Sequence, residues 1–254
     1  MKLKILGCSG GIGGDLRTTS MLLDEDVLID AGTGVGDLSV AQLAQIDHIF
    51  VTHSHIDHIA SIPLLADTVG SMRQIPITLY ATHETLDILR EHLFNWKLWP
   101  DFTQIPDPAC PALRYQPIEI GEPVALGRRT VTALPANHAV PAVGYRIDSG
   151  AASLVYSGDT TSNDSFWRHI NAIDNLRYLI IETALSNKER EVAIAAKHLC
   201  PSMLASELAK LTLSPDIYIT HLKPREADLI MDEVLACVAG HRPQMLKHNQ
   251  VFEF

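Results

Sequence analysis

The sequence predicts an α/β fold in one domain, residues 1–254. Three observations carry that expectation. Apolar, β-branched runs alternate with helix-like segments in two strand-rich halves, each followed by helices. A chain of 254 residues can bury a large core. Metal-capable side chains stand just past the carboxyl ends of several predicted strands, the edge where layered α/β folds form sites.

Lys2 to Gly7 predicts the first strand, and the glycine-rich run Gly7–Gly14 a tight turn after it. That run lacks the Lys-Ser/Thr ending and the spacing of a phosphate loop. Ser20–Leu23 and Val27–Asp30 flank Asp24-Glu25-Asp26 as a hairpin. Asp30 is either a carboxylate that orients a ligand histidine or a turn-stabilising aspartate. His48–Val51 reads as a buried strand and Ile59–Ala66 as a short helix. Ile77–Ala81 is a strand, and Thr82 caps a helix to about Leu93. Phe94–Phe102 carries Phe94, Trp96 and Trp99 and reads equally as core plug, lid or base-stacking wall. The proline-rich residues 103–123 imply extended chain crossing the surface.

The second half predicts strands at Thr130–Ala136, Ala142–Ile147, Ser153–Tyr156, Tyr178–Glu182 and Ile217–Thr220. Helices are expected at Asp164–Ile173, Pro201–Leu211 and Arg225–Ala239, with a last strand at Gln250–Phe254.

The stretch Thr52–His58 organises the chain. It offers His53, His55, Asp57 and His58 where a strand ends. Alternate strand residues point to one side, so His53 and His55 can face one point. A turn at Ile56 would aim Asp57 and His58 at a second. Imidazole and carboxylate suit a borderline divalent metal such as zinc. An isolated histidine is usually a solvated or core residue. His48, His83, His92, His169, His241 and His248 take that ordinary reading. His138, Asp159 and His221 each follow a predicted strand, as His53 does, and complete a candidate constellation.

Composition narrows the partners. Apolar residues make up 46% and charged residues 20%, as in ordinary globular chains. A net charge of −10 argues against large polyanions, whose phosphates need Lys and Arg clusters. Cys8, Cys110, Cys200 and Cys237 form no C-x-x-C pair, stand away from the histidine cluster, and read as reduced, mostly buried thiols of a cytoplasmic protein. The apolar run at the start is too short for a signal peptide, and none is long enough to span a membrane.

The His-x-His-x-Asp-His run, with His138, Asp159 in a Ser-Gly-Asp-Thr turn, and His221, resembles the metallo-β-lactamase superfamily over essentially the whole chain. The resemblance implies a four-layer αββα sandwich with a two-metal site on one edge. Carried over, His53, His55 and His138 would hold one ion, Asp57, His58 and His221 the other, and Asp159 would bridge them. Zinc is the first expectation, with manganese or iron as alternatives.

Two branches match further. His138–Ile147 is similar to the segment after the same histidine in tRNA 3′-processing endonucleases and class II cyclic nucleotide phosphodiesterases. Glu182 and His198 match an acid–base pair of the tRNA-processing branch, and the stretch from His92 to Phe102 resembles the class II phosphodiesterases. Ser61 departs from the motif, which usually carries glycine there, and no glycine- and basic-rich tRNA-gripping arm is found.

The resemblance therefore implies a hydrolase that cleaves cyclic AMP or GMP to 5′-monophosphates, using hydroxide generated from water by two dications about 3.5–4 Å apart. Asp57 would orient the nucleophile, and His198, kept protonated by Glu182, would supply the proton the alkoxide needs. The expected partner is a small cyclic nucleotide, with no membrane, nucleic acid disfavoured, and a homodimer left open. The alternatives are a tRNA 3′-end endonuclease, a thioester or lactam hydrolase, and a metal-binding scaffold without activity.

Overall fold

Buried side chains of the first strands alternate between two faces and feed two different cores. In β1 (Lys2–Gly7), Leu3 and Ile5 join one buried cluster and Leu6 another. In β2 (Ser20–Leu23) and β3 (Val27–Ala31), Met21, Leu23, Val27 and Ile29 join the first, and Leu22, Leu28 and Ala31 the second. A strand apolar on both faces needs a layer on each side. The computed structural model, which describes residues 1–254, supplies both layers.

The first half continues through α1 (Val40–Leu43), β4 (His48–Phe50), α2 (Ile56–Ile59), α3 (Ile62–Val69), β5 (Ile77–Ala81) and α4 (His83–His92). A small hairpin of β6 (Pro106–Asp107) and β7 (Cys110–Pro111) leads to β8 (Leu113–Pro117). The second half runs β9 (Pro123–Leu126), β10 (Arg129–Pro135), β11 (Val143–Asp148), β12 (Ser153–Tyr156), α5 (Asp164–Ile170) and β13 (Leu176–Glu182). It then adds α6 (Arg190–Ala196), α7 (Pro201–Leu208), β14 (Asp216–Thr220), α8 (Ala227–Cys237), β15 (Gln244–Met245) and β16 (Val251–Glu253).

Two seven-stranded sheets result, ordered β16-β1-β2-β3-β4-β5-β8 and β15-β14-β13-β12-β11-β10-β9. Three buried clusters mark the three interfaces of a four-layer αββα sandwich. The middle one joins Ile5, Met21 and Phe50 of the first sheet to Tyr145, Leu154 and Tyr156 of the second. Phe50 stacks on Tyr80 with centroids 4.4 Å apart and meets Tyr145 edge-on at 5.6 Å. The outer clusters seat α3 and α4 on the first sheet, and α5, α7 and α8 on the second.

Parallel pairing sets the active edge. β3, β4, β5 and β8 run parallel, as do β12, β13, β14 and β15, so within each group the carboxyl ends share one edge. Val143 N donates to Thr52 O at 3.0 Å, and His53 pairs with Ala142, tying the two sheets together there.

Several expectations need correction. The proline-rich span 103–123 is not merely surface chain: β8 is a parallel edge strand of the first sheet, with Pro117 at its end, where a missing N–H does least harm. The single helix Ile59–Ala66 is two short helices, the second opening with a proline in its first turn. α6 went unpredicted. Only Cys200 is buried; Cys110 and Cys237 are exposed and Cys8 is intermediate. The Cys8 backbone is also close to the histidine cluster, since its carbonyl accepts the His221 N–H at 2.9 Å.

The aromatic stretch Phe94–Phe102 is the largest correction. Phe94 and Phe102 are core residues and Trp99 packs against them, while Trp96 and Leu98 are exposed. The stretch follows α4, which runs back from the carboxyl end of β5. Phe102 O accepts from Leu113 N, at the first residue of β8, opposite the first residue of β5. The loop therefore lies at the amino ends of the parallel strands, a strand's length from the histidine edge, and is not a stacking wall there. No helix is long and apolar enough to cross a membrane.

Candidate metal centre

β4 ends at Phe50, and Val51-Thr52 carries the chain over the edge to His53. His55 caps α2, which places Asp57 and His58 in one helical turn. His138 follows β10, Asp159 follows β12 and His221 follows β14, all at the same edge. His53, His55, His138 and Asp159 present ligand atoms within 4.8 Å of one another, as do Asp57, His58 and His221. Asp159 Oδ2 lies between the groups, 3.7 Å from His53 Nε2 and 3.4 Å from both His58 Nε2 and His221 Nε2. Asp57 Oδ2 is 3.7 Å from His221 Nε2.

Hydrogen bonds behind the rings fix which nitrogen faces inward. Buried Asp30 accepts from His58 Nδ1 at 2.8 Å and from the Thr52 N–H at 2.7 Å. The Thr52 hydroxyl also donates to Asp30, at 2.8 Å, and so accepts from His53 Nδ1 at 3.0 Å. His138 Nδ1 donates to the Lys197 carbonyl at 3.0 Å. All three rings thus turn Nε2 toward the cluster. Asp30 is the orienting carboxylate, not a turn aspartate.

The donor set fits a metal. His53 Nε2, His58 Nε2 and Asp159 Oδ1 are buried and lack any hydrogen-bond partner within the chain, which is costly unless a ligand satisfies them. His55 Nδ1 and His138 Nε2 face each other at 3.1 Å, close enough for an N–H of His55 to bridge them or for one cation to take both. Burial holds His53, His55 and His138 below the usual imidazole value, in the neutral form a metal takes. Burial likewise lowers His221, to about 4. Burial works against charge on His58 too, but Asp159 and Asp30 outweigh it and raise its pKa well above the ordinary value. Burial opposes charge on Asp159, yet His221 and His58 hold its carboxyl well below the usual range.

The Glu182–His198 pair stands beside this cluster. His198 Nδ1 donates to Glu182 Oε1 at 2.9 Å. Asp159, His198 and His221 present ligand atoms within 4.8 Å of one another, so the His198 ring reaches the same space. Burial pushes the Glu182 carboxyl up, but it accepts from His198 and from the backbone N–H of Thr160, Ala184 and Leu199, the partners of a carboxylate. Burial disfavours the His198 cation, and Glu182 overcomes this and raises its pKa. His198 is buried between α6 and α7.

Ser61, the departure from the motif, donates its hydroxyl to Gly32 O at 2.7 Å, and so ties α3 to the turn after β3. Lys197 and Thr52 escaped the sequence reading. Thr52 could have been suspected from its place before His53; nothing in the sequence marks the Lys197 backbone.

Comparison with known proteins agrees with this geometry. The family model of the beta-lactamase superfamily domain matches residues 25–234. The chain belongs to that superfamily. Within it, the chain is 28% identical over 203 residues to a probable 3′,5′-cyclic-nucleotide phosphodiesterase of Yersinia pestis, covering 70% of this chain and 57% of that one. It therefore spans little more than half that relative's length. It is 28% identical over 231 residues to the probable metallo-hydrolase YhfI of Bacillus subtilis, covering 87% of each. The YhfI crystal structure superposes with a TM-score of 0.78 at 20% identity over 99% of both chains. A ribonuclease Z of Methanopyrus kandleri is 25% identical over 158 residues, 58% of this chain and 50% of that one. As a superfamily member the chain has the fold and donor set of a metallo-hydrolase.

Proposed function

We propose that this chain is a metal-dependent phosphodiesterase that hydrolyses 3′,5′-cyclic AMP or GMP to the 5′-monophosphate. The observation that carries the reading is the Glu182–His198 pair, with a raised His198 pKa, beside a cluster of metal-capable donors. A thioester hydrolase has less need of such a proton donor, because a thiolate is a weaker base than a sugar alkoxide and departs more readily without a proton. The relative from Yersinia pestis adds support.

His53, His55 and His138 would hold one ion and Asp57, His58 and His221 a second, with Asp159 a ligand shared between them. When bound, the pair of dications, zinc foremost, would polarise the phosphoryl oxygens and make hydroxide available at neutral pH. Asp57, partly exposed on the first turn of α2, would accept a hydrogen bond from the attacking water and align it. The Glu182 carboxylate holds the His198 proton on the edge of the site. With Nδ1–H bonded to Glu182, the cationic ring carries a second proton on Nε2, which His198 would donate to the departing 3′ oxygen so that it leaves as a ribose hydroxyl. Residues 1–254 would act as one cytoplasmic domain.

A second reading is favoured by the ribonuclease Z match: an endonuclease acting at RNA 3′ ends. The net charge of −10 weighs against a polyanionic substrate. An activity panel on metal-replete protein separates them, using cyclic AMP, cyclic GMP, cyclic dinucleotides and precursor tRNA. The phosphodiesterase reading expects turnover of a cyclic mononucleotide. Cleavage of precursor tRNA with no cyclic mononucleotide turnover would replace it with the endonuclease.

A further inference from the structure

α6 ends on Lys197, whose φ of 55° and ψ of 49° are left-handed. Glycine is the usual residue there, because a Cβ makes that conformation costly. Strain of this kind persists where the surroundings demand it. Two contacts show what is demanded. The Lys197 carbonyl accepts from His138 Nδ1 at 3.0 Å, and Lys197 Nζ donates to the His138 carbonyl at 3.0 Å. One residue therefore grips His138 at its ring and at its main chain.

The neighbours of His138 are fixed from other directions. Asn137 N donates to Thr160 Oγ1 at 3.0 Å, and Ala142 pairs with His53. Those bonds place the loop but leave the His138 ring free to turn about its own side-chain bonds. The Lys197 carbonyl stops that turning and fixes the tautomer with Nε2 inward. The Lys197 ammonium, a further bond from the same residue, holds the His138 peptide against the end of α6.

The geometry points to Lys197 as a positioning residue that sets the metal affinity of the site by clamping His138. This rests on the reading of His138 as a metal ligand. The mechanism needs both the left-handed backbone and the side-chain donor, and substitutions separate them. Lys197→Gly keeps the backbone and removes the ammonium. Lys197→Arg keeps a donor of similar reach.

The test is zinc affinity of the full chain, measured by competition with a chromophoric chelator, alongside the melting temperature of the metal-free chain. Lys197→Gly should weaken one zinc equivalent by about tenfold. Its metal-free melting temperature should stay level or rise, because glycine relieves the left-handed strain. Lys197→Arg should hold zinc within about threefold of the parent. A merely structural lysine would move stability and leave zinc affinity alone. His138→Ala is the control and should lose one zinc equivalent. Loss of zinc in His138→Ala with parental affinity in Lys197→Gly overturns the clamp and spares the ligand reading. Equal losses in Lys197→Arg and Lys197→Gly also overturn it. Parental zinc binding in His138→Ala overturns the ligand reading and the clamp together.

Discussion

Asp30 Oδ2 lies 2.8 Å from His58 Nδ1, and neither side chain reaches solvent. Asp30 adopts a φ of 54°, rare for a residue with a side chain, at the end of a strand. The same carboxylate orients His53 through the Thr52 hydroxyl. One strained, buried aspartate thus sets two histidines of the cluster. Asp30→Ala should lower metal affinity by about 10–100-fold. It should also destabilise the metal-free chain by about 3–5 kcal/mol, because buried His58 loses one of the two carboxylates that face it and the Thr52 N–H loses its acceptor. Chelator competition and urea unfolding read the two effects, and parental values in both would contradict the role given to Asp30.

Asp159 faces both groups of donors, so its loss should be felt by two ions at once. Protein purified without chelator should hold two divalent ions per chain by elemental analysis. Asp159→Ala should lose at least one of them and nearly all activity, with far-ultraviolet circular dichroism unchanged. Two retained ions with near-parental turnover would mean that Asp159 is not shared.

His198→Ala should slow hydrolysis of a cyclic nucleotide by about 10²–10⁴-fold, the usual worth of general acid catalysis. Bis-p-nitrophenyl phosphate should suffer far less, because p-nitrophenolate leaves without a proton. Equal losses on the two substrates would give His198 another role.

The raised pKa of His198 fixes the sign of the pH dependence. The protonated ring is the donor, so turnover of a cyclic nucleotide should fall on an alkaline limb placed above the ordinary imidazole value of 6.5. Stability from the Glu182–His198 pair is fully present below the unfolded imidazole pKa and is lost as pH rises through the raised native value. Glu182→Gln removes the charge that raises it and should move the limb downward. A limb that stays in place in Glu182→Gln would detach Glu182 from the proton.

Much of this was legible in the sequence, for physical reasons. His53, His55, Asp57 and His58 crowd into one turn, and strand periodicity placed His138, Asp159 and His221 at the same edge. The hairpin of β2 and β3 followed from alternation around an acidic turn. What was hidden depends on tertiary direction. Nothing in the run Phe94–Phe102 says which end of the sheet it closes, and the direction of α4 decides that. The left-handed backbone of Lys197 leaves no trace in a sequence that has lysine where glycine is usual. β8 was masked by prolines that fall at its end rather than among its paired N–H groups.

The most direct test of the account is hydrolysis of cyclic AMP in water enriched in oxygen-18, with the product analysed by mass spectrometry. Water attacking phosphorus with loss of the 3′ oxygen predicts 5′-AMP that carries one heavy oxygen, on its phosphate. Formation of 3′-AMP, label on the ribose, or no AMP from metal-replete protein would contradict it.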